Sequence, residues 1–473
     1  MKNFTATLLL LLLCRIAAAQ SIPTYCSSFG SGSGGRNLCG VATFDGGYVV
    51  GGISYYGGNG QNNYIGKYDI NGNIAWQHDV GSVTTDDFYG VTETADHNIV
   101  VVGVQSGTMI IIKYTSDGVQ LWAKKLSVLI TTYAYSVIET SDGNLLITGS
   151  STDIFTAYYA IVIKLDSDGN LLWNKNFDVG FDSSDDGYSC VETADHHYII
   201  GIYGASINDF FYILSLDTAG NQLWSKQSSH SGVPYDLVAT ADSGVVVAGY
   251  ICTTSGCDAM LSKLDKNGTI LWSYTYGDSL FDRFYSATQT SDGGFAMAGD
   301  ATDQIYILNG FVAKCDSSGQ LQWSKTSDDV REFRSIDNSN DGGLIMSSTG
   351  GTGGLEFGLK KMDEDGNACC ALNSYGSQND GTTFSGVTVS SHNLAATLTD
   401  ATMDETTFTP TTSITSCNEE GIEEVEKGNS LLIAPNPADQ IAVCNYQLAE
   451  NTTLKIFDVA GKEIFHSTFN IQR

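Results

Sequence analysis

A ten-residue motif recurs along this chain and limits what the chain can fold into. Its copies include KYDINGNIAW, KLDSDGNLLW and KLDKNGTILW, and neighbouring copies are 46 to 51 residues apart. The copies end in all six tryptophans of the protein: Trp76, Trp122, Trp173, Trp224, Trp272 and Trp323. A seventh copy, KMDEDGNACC, has Cys370 at the tryptophan position. Repetition at this period indicates a chain built from equivalent supersecondary units.

A second motif recurs in phase with the first. It is a turn followed by an apolar run, as in TADHNIVVVG and TSDGNLLITG, and a degenerate eighth copy, VSSHNLAATL, lies around Ser391. Its turn aspartates are Asp45, Asp96, Asp142, Asp195, Asp242, Asp292 and Asp341. Turns with Gly or Asn favour hairpins, because these residues accept positive φ. The short β-branched runs are typical of buried strands, so each unit is predicted to contain four antiparallel strands.

Four antiparallel strands repeated about every fifty residues predict an all-β protein, a β-propeller. The eight turn copies predict eight blades within residues 20–417, with seven blades as the alternative. Tyr25 precedes Asp45 by 20 residues, the same spacing as between Trp76 and Asp96. We therefore expect the N-terminal segment to supply the outer strand of the last blade and close the ring. The six tryptophans are expected to dock neighbouring blades, because a buried indole removes about 150–250 Å² of surface from water.

The repeat also resembles known proteins. The tryptophan motif combined with the Asp-Gly-Gly turn resembles a bacterial family of secreted propeller-repeat proteins. The tryptophan spacing is similar to the docking repeat of quinoprotein propellers. Residues 1–19, with Lys2, a run of leucines and a final Ala19, are typical of a secretory signal peptide.

The C-terminal segment carries a different resemblance. An acidic linker, residues 418–429, precedes residues 430–473, whose motif residues are Pro435, Asn436, Pro437, Asp458 and Gly461. This segment resembles the type A C-terminal sorting domain of the type IX secretion system, a small β-sandwich. The resemblance implies transport by that machinery to the outer-membrane surface or the medium. Because the sequence ends at Arg473, before the closing strands of the family pattern, the sandwich is expected to be truncated.

Charge and cysteine content narrow the choice of partners. The net charge of −30 disfavours nucleic acids and anionic lipid as partners. No segment after the signal is long and apolar enough to predict a membrane span. No Cys/His cluster has zinc spacing, and we predict no metal and no cofactor. The Asp-Gly turns could alternatively hold calcium, although hairpins account for them. Cys252 and Cys257 flank a predicted hairpin in an exported protein, so we predict a disulfide between them.

No catalytic motif such as GxSxG or HExxH is present. Acidic residues recur in the variable loops, where they are expected to cap strand ends: Asp86, Asp87, Asp185, Asp186, Asp282, Asp328 and Asp329. Aromatic residues in or beside these loops are predicted to contact a ligand, because their broad faces lose little entropy on binding: Tyr55, Tyr56, Phe88, Tyr89, Phe155, Phe210, Phe281 and Phe284.

The sequence therefore predicts a propeller that binds a glycan or a protein and is not an enzyme. The alternative is a secreted glycan-active hydrolase or lyase that uses loop carboxylates. Two carboxylates about 5–10 Å apart on different loops would favour the hydrolase. Aromatic rings around the mouth of the axis would favour binding.

Overall fold

The computed structural model describes residues 24–368 apart from several short gaps, together with nine short strands between residues 373 and 469. The gaps are residues 31–34, 55–60, 82–85, 128–130, 153–157, 180–183, 206–208, 255, 278–279, 303–306 and 352–353. The described residues form strands and turns. Among them there is no helix with the length and apolar character needed to cross a membrane.

The strands form seven antiparallel four-stranded units. Unit one comprises β2 (Gly35–Ala42), β3 (Tyr48–Ser54), β4 (Asn62–Tyr68) and β5 (Ile74–Val80). Unit two comprises β6 (Asp86–Glu93), β7 (Ile99–Gln105), β8 (Thr108–Tyr114) and β9 (Gln120–Ser127). Unit three comprises β10 (Thr131–Glu139), β11 (Leu145–Thr152), β12 (Tyr158–Leu165) and β13 (Leu171–Asp178). Unit four comprises β14 (Ser184–Glu192), β15 (Tyr198–Ala205), β16 (Phe210–Leu216) and the first part of the long strand β17 (Gln222–Ala239). Unit five comprises the second part of β17 together with β18 (Val245–Thr253), β19 (Gly256–Leu264) and β20 (Ile270–Gly277). Unit six comprises β21 (Asp282–Gln289), β22 (Phe295–Thr302), β23 (Leu308–Cys315) and β24 (Leu321–Ser327). Unit seven comprises β25 (Glu332–Asn338), β26 (Leu344–Gly351), β27 (Gly354–Met362) and β1 (Thr24–Gly30).

The N-terminal strand belongs to the last unit. β1 pairs antiparallel with β27, with Tyr25 opposite Lys361, and so takes the place of a fourth strand. The first strands of successive units contact one another in chain order, and β25 of unit seven also contacts β2 of unit one. We call these first strands the inner strands.

The described strands form seven four-stranded units and do not form the predicted eighth one. Seven short strands instead add singly to the outer strands of units six, five, four, three, two, one and finally seven: β28 (Asn373–Ser374), β29 (Ser377–Asp380), β30 (Phe384–Gly386), β31 (Ser390–His392), β32 (Thr397–Asp400), β33 (Glu405–Thr406) and β34 (Thr411–Cys417). We call residues 373–417 the outer strap. The sequence around Ser391 lacks the long apolar runs that build a unit, whereas the open edge of an existing sheet accepts a single strand.

Residues 419–473 form a separate compact unit. Its described strands are β35 (Thr452–Phe457) and β36 (Glu463–Phe469), which pair antiparallel. The predicted sorting-motif residues, Pro435, Asn436, Pro437, Asp458 and Gly461, and the predicted signal peptide lie outside the described residues.

The hydrophobic core lies between the units. One buried cluster joins Val102 and Ile111 of unit two to Ile147, Ile161 and Ile163 of unit three. Strands such as β7 and β11 are buried along their whole length. Because these middle strands face a neighbouring unit on each side, their sequences are continuously apolar rather than alternating.

The tryptophans join successive units. The indole nitrogen of Trp76 donates a hydrogen bond of 2.9 Å to the carbonyl of Ser116, in the turn of the next unit, and Trp224 donates in the same way to Lys266. Each indole also lies against the glycine of that turn, in the pairs Trp76–Gly118, Trp122–Gly169, Trp173–Gly220, Trp224–Gly268, Trp272–Gly319 and Trp323–Gly366. All six glycines have positive φ, so glycine serves both the turn and the close approach of the indole.

A pair of glycine variants can separate these two roles. Gly118 has φ 83°, and a Cβ added there would lie 2.7 Å from Trp76. Gly143 has φ 75°, but a Cβ added there would have no neighbouring atom within 4 Å. We expect Gly143→Ala to cost about 1 kcal/mol for the backbone alone. Gly118→Ala is expected to cost about 1–3 kcal/mol more, because the methyl group overpacks the indole. Urea unfolding measures both, and equal losses would show that the indole contact contributes nothing.

Two other side-chain pairs hold hairpins together. The predicted disulfide between Cys252 and Cys257 is present, with an S–S distance of 1.92 Å, and it joins β18 to β19. Lys314, from a third strand, pairs with the turn residue Asp292 of its own unit at 2.8 Å. The hydrogen bond from Lys314 lowers the pKa of Asp292 to about 2. The lysine that opens most copies of the tryptophan motif is therefore structural.

Candidate functional site

Each inner strand has a β-bulge at the same position, five residues before the Thr or Ser of the first turn. The residue at this position is Leu38 in unit one and Arg334 in unit seven. In the five units between them it is tyrosine: Tyr89, Tyr135, Tyr188, Tyr235 and Tyr285. A bulge changes the direction in which a side chain points, so a repeated bulge collects one residue from every unit.

The five tyrosines contact one another in series, and we call them the tyrosine arc. From Tyr89 to Tyr285, the centroids of consecutive rings are 5.3, 5.1, 5.3 and 4.9 Å apart. The guanidinium of Arg334 continues the series, because it lies 3.9 Å from the centre of the Tyr285 ring. The first four rings are half-buried and Tyr285 is buried, so four of the five rings keep part of their surface exposed.

A second row of side chains lies two residues earlier on each inner strand, nearer the variable loops. It consists of Arg36, Asp87, Tyr133, Asp186, Val233, Arg283 and Glu332. Its acids accept hydrogen bonds from the arc and its arginine: the Tyr89 hydroxyl donates to Asp87 at 2.6 Å, and Arg334 donates to Glu332 at 2.7 Å. The second row therefore holds the arc in place.

The strongest ion pair of the site joins Arg283 to Asp300, which lies opposite it on β22. The guanidinium donates through Nε to Oδ1 at 2.9 Å and through Nη2 to Oδ2 at 2.5 Å, and the Tyr285 hydroxyl donates to Oδ2 at 3.1 Å. The Asp300 side chain is fully buried, and burial raises the pKa of its carboxyl while Arg283 opposes the rise. A buried carboxylate of this kind depends on its cationic partner.

The arc presents neutral hydroxyl groups at physiological pH. Burial raises the pKa of the Tyr89, Tyr135, Tyr188 and Tyr285 hydroxyls far above the ordinary value, and it raises the pKa of Tyr203 to about 12. These phenols remain protonated and are poor general bases, and the hydroxyls of Tyr89, Tyr135 and Tyr285 already donate to carboxylates.

The aromatic residues predicted from the sequence fall into three groups. Tyr89 belongs to the arc, and Phe281 is half-buried beside Arg283, with its ring centroid 4.9 Å from the guanidinium. Phe88 and Phe284 are fully buried in core clusters, which corrects their predicted role as ligand contacts. Phe210 is half-buried and packs against another core cluster. Tyr55, Tyr56 and Phe155 lie outside the described residues.

The core positions of Phe88 and Phe284 follow from the bulge. Each immediately precedes the bulged tyrosine, and it is the tyrosine that turns towards the site. Four tyrosines of the arc were not predicted as site residues: Tyr135, Tyr188, Tyr235 and Tyr285. Each precedes the turn threonine by the same five residues. That constant spacing was the signal available in the sequence.

The recurrent acids serve mainly the loops. Asp86 and Asp185 are fully buried and accept backbone hydrogen bonds of 2.9 Å from Ser106 and Val179. Asp329 forms an ion pair of 3.0 Å with Lys360. Within the part of the chain that the structure describes, no group of three or more His, Cys, Asp or Glu side chains could hold a metal ion.

Comparison with known proteins finds similarity in structure only. No protein-family model matches the sequence, and no curated protein matches it. The WD40 domain of Neurospora crassa Pan2 is 12% identical over 69% of this chain and 89% of that chain, with a TM-score of 0.43. Chaetomium thermophilum Sqt1 bound to the N-terminus of ribosomal protein L10 is 13% identical over 76% and 98%, with a TM-score of 0.43. Drosophila plexin A in complex with semaphorin 1b is 8% identical over 71% and 86%, with a TM-score of 0.40.

Proposed function

We propose that this protein is a secreted or cell-surface β-propeller that binds a glycan or protein partner at the tyrosine arc and catalyses no reaction. The observation that carries the proposal is the unbroken series of ring contacts from Tyr89 to Tyr285, ended by Arg334. Tyrosine combines a broad apolar face with a polar edge and loses little entropy when it is held, so it suits recognition of sugars and of protein surfaces.

The ring that would present this arc has seven blades. Support comes from the seven four-stranded units, from β1 as the fourth strand of unit seven, and from the contact between β25 and β2. In such a ring the inner strands surround the axis, so the bulged residues would lie around one central opening.

The state of the acids supports binding over hydrolysis. Asp87 is hydrogen-bonded to Tyr89, Asp300 is held by Arg283, and Glu332 is bonded to Arg334. A glycosidase needs one carboxyl that donates a proton and a second that attacks or activates water. Carboxylates already engaged in holding the arc are poorly placed for either role.

Removing one ring of the arc tests the proposal. The full chain and its Tyr188→Ala variant are compared on glycan and protein arrays, with Phe44→Ala as the control. Phe44 is an aromatic residue that is 72% exposed in the turn between β2 and β3, away from the arc. For any ligand found, we expect Tyr188→Ala to weaken affinity about 10- to 100-fold, the size of a central aromatic contact. Full binding by both variants would refute the site, and turnover of a bound ligand would show that the protein is an enzyme.

We also propose that the C-terminal segment directs export through the type IX secretion system, on the basis of its sequence resemblance. In a bacterium that carries this system, deletion of residues 430–473 is expected to leave the protein in the periplasm. Cell fractionation measures the distribution, and the Tyr188→Ala chain, which keeps the segment, serves as the exported control. Unchanged delivery of the deletion variant to the surface would show that the segment is not a sorting signal.

A further inference from the structure

The arginines that the structure describes are concentrated in one sector of the candidate site. The chain has six arginines, and the four that the structure describes are Arg36, Arg283, Arg331 and Arg334. They lie on or beside the inner strands of units six, seven and one, which are consecutive because β25 contacts β2. Arg334 stands at the bulge position, and Arg36 and Arg283 belong to the second row. A protein with a net charge of −30 thus places its four described guanidinium groups in one sector, where Arg334 adjoins Tyr285 and Arg36 adjoins Tyr89.

These guanidinium groups are only partly satisfied within the protein. Arg283 is paired with Asp300, and Arg334 reaches Glu332 through Nη2. The Nε atoms of Arg36 and Arg334 are buried and have no hydrogen-bond partner in the structure. A buried N–H group without an acceptor costs free energy, which a ligand acceptor would recover. Of the three arginines in the two rows, Arg283 and Arg334 have carboxylate partners, whereas Arg36 forms no ion pair with a described residue.

The geometry of Arg334 suits a carboxylate. Its guanidinium lies flat over the ring of Tyr285, at 3.9 Å from the ring centre. Stacking fixes the plane of the guanidinium, and a guanidinium held in one plane is suited to bind a planar anion. Because the chain carries a net charge of −30, an anionic ligand would depend on local cations such as these guanidinium groups.

We propose that the ligand is an acidic glycan whose uronate carboxylate is bound by Arg36 and Arg334 while its sugar rings lie on the tyrosine arc. This inference rests on the proposed function, and it specifies the ligand of the same site. A glycan is favoured over an acidic peptide because the arc repeats one side chain at intervals of 4.9 to 5.3 Å. A row of identical side chains matches a polymer of similar units better than it matches a peptide with varied side chains.

The test uses the full chain and three polyuronates of different sugars, namely polygalacturonate, alginate and hyaluronan, as oligomers. Each is compared with its carboxyl-reduced, neutral form, and poly-glutamate serves as the acidic peptide. Calorimetry is expected to show binding of at least one polyuronate and at least tenfold weaker binding of its reduced form. Binding of none of the three, equal binding of the neutral form, or preferred binding of poly-glutamate would each overturn the inference.

Three substitutions separate this inference from the proposed function. Arg36→Gln and Arg334→Lys are each expected to weaken polyuronate binding about tenfold. The lysine keeps the charge but loses the planar fork. Lys266→Gln, which removes an exposed cation from an outer turn, is the charge-matched control and should have no effect. If Tyr188→Ala abolishes binding and the arginine variants do not change it, the arc is the site but the ligand is not read by its carboxylate. If neither set of variants alters binding, the proposed site itself is wrong.

Discussion

Replacing Arg283 with methionine is expected to lower the free energy of unfolding by about 3–5 kcal/mol, the usual cost of breaking a buried ion pair from one side. The variant removes both guanidinium hydrogen bonds from Asp300, whose side chain is fully buried, and leaves the Tyr285 hydroxyl as its remaining donor. Chemical denaturation with both fluorescence and circular dichroism measures the loss. A loss below about 1 kcal/mol would show that the pair is effectively solvent-exposed.

The partner substitution and the pH dependence provide the controls. The double variant Arg283→Met/Asp300→Leu removes both charges, so it should recover most of the lost stability. In the single variant the pKa of Asp300, already raised by burial, should rise further. A carboxyl with a raised folded pKa takes up a proton more readily in the folded protein than in the unfolded chain. The loss of unfolding free energy caused by Arg283→Met should therefore shrink as the pH falls from about 7 towards about 4. A deficit independent of pH would point to lost packing instead.

Phe284 and Phe281 offer a second large contrast between neighbouring residues. Phe284 is fully buried, with its ring centroid 5.6 Å from Tyr276 and 5.1 Å from Phe311. Its replacement by alanine should cost about 3–5 kcal/mol, because a large cavity remains in the core. Phe281 is half-buried against Arg283, and its replacement should cost only about 1 kcal/mol.

Ligand binding should show the reverse order. Any Phe284→Ala protein that remains folded should keep its affinity, whereas Phe281→Ala should lose part of it, since Phe281 lies beside Arg283 and Tyr250. Thermal unfolding and calorimetry on the same samples measure both effects. Equal stability losses would mean that Phe284 is not the core residue that its burial indicates.

The sequence was sufficient for the repeated unit because its signals are local. Tryptophan spacing, glycine turns and apolar runs each concern a few consecutive residues, and they correctly indicated four-stranded units and the Cys252–Cys257 bridge. The number of units was not a local property. The turn-like stretch around Ser391 pairs as a single strand with β13, where His392 lies opposite Asn176. Within that stretch, the lack of long apolar runs is what distinguishes a strand added to an existing edge from a strand of a new unit.

The site was harder to predict for a similar reason. Strand alternation assigns Phe88 and Tyr89 to opposite faces but does not say which of them faces the site. The bulge shifts the register by one residue between Phe88 and Gly90. This shift turns Tyr89 towards the site and leaves Phe88 in the core. A shift of one residue depends on pairing with β7, so only the constant spacing from the turn threonine carried information about it.

The path of the outer strap has a consequence for the order of folding. Its strands meet units six to one against the direction of the chain and then reach β1, with Tyr25 opposite Ser416. Every partner edge must exist before the corresponding strap strand can pair, and its final partner requires both chain segments of unit seven. Docking of this segment is therefore expected to be a late kinetic step, and resistance of residues 373–417 to a protease would report that assembly is complete.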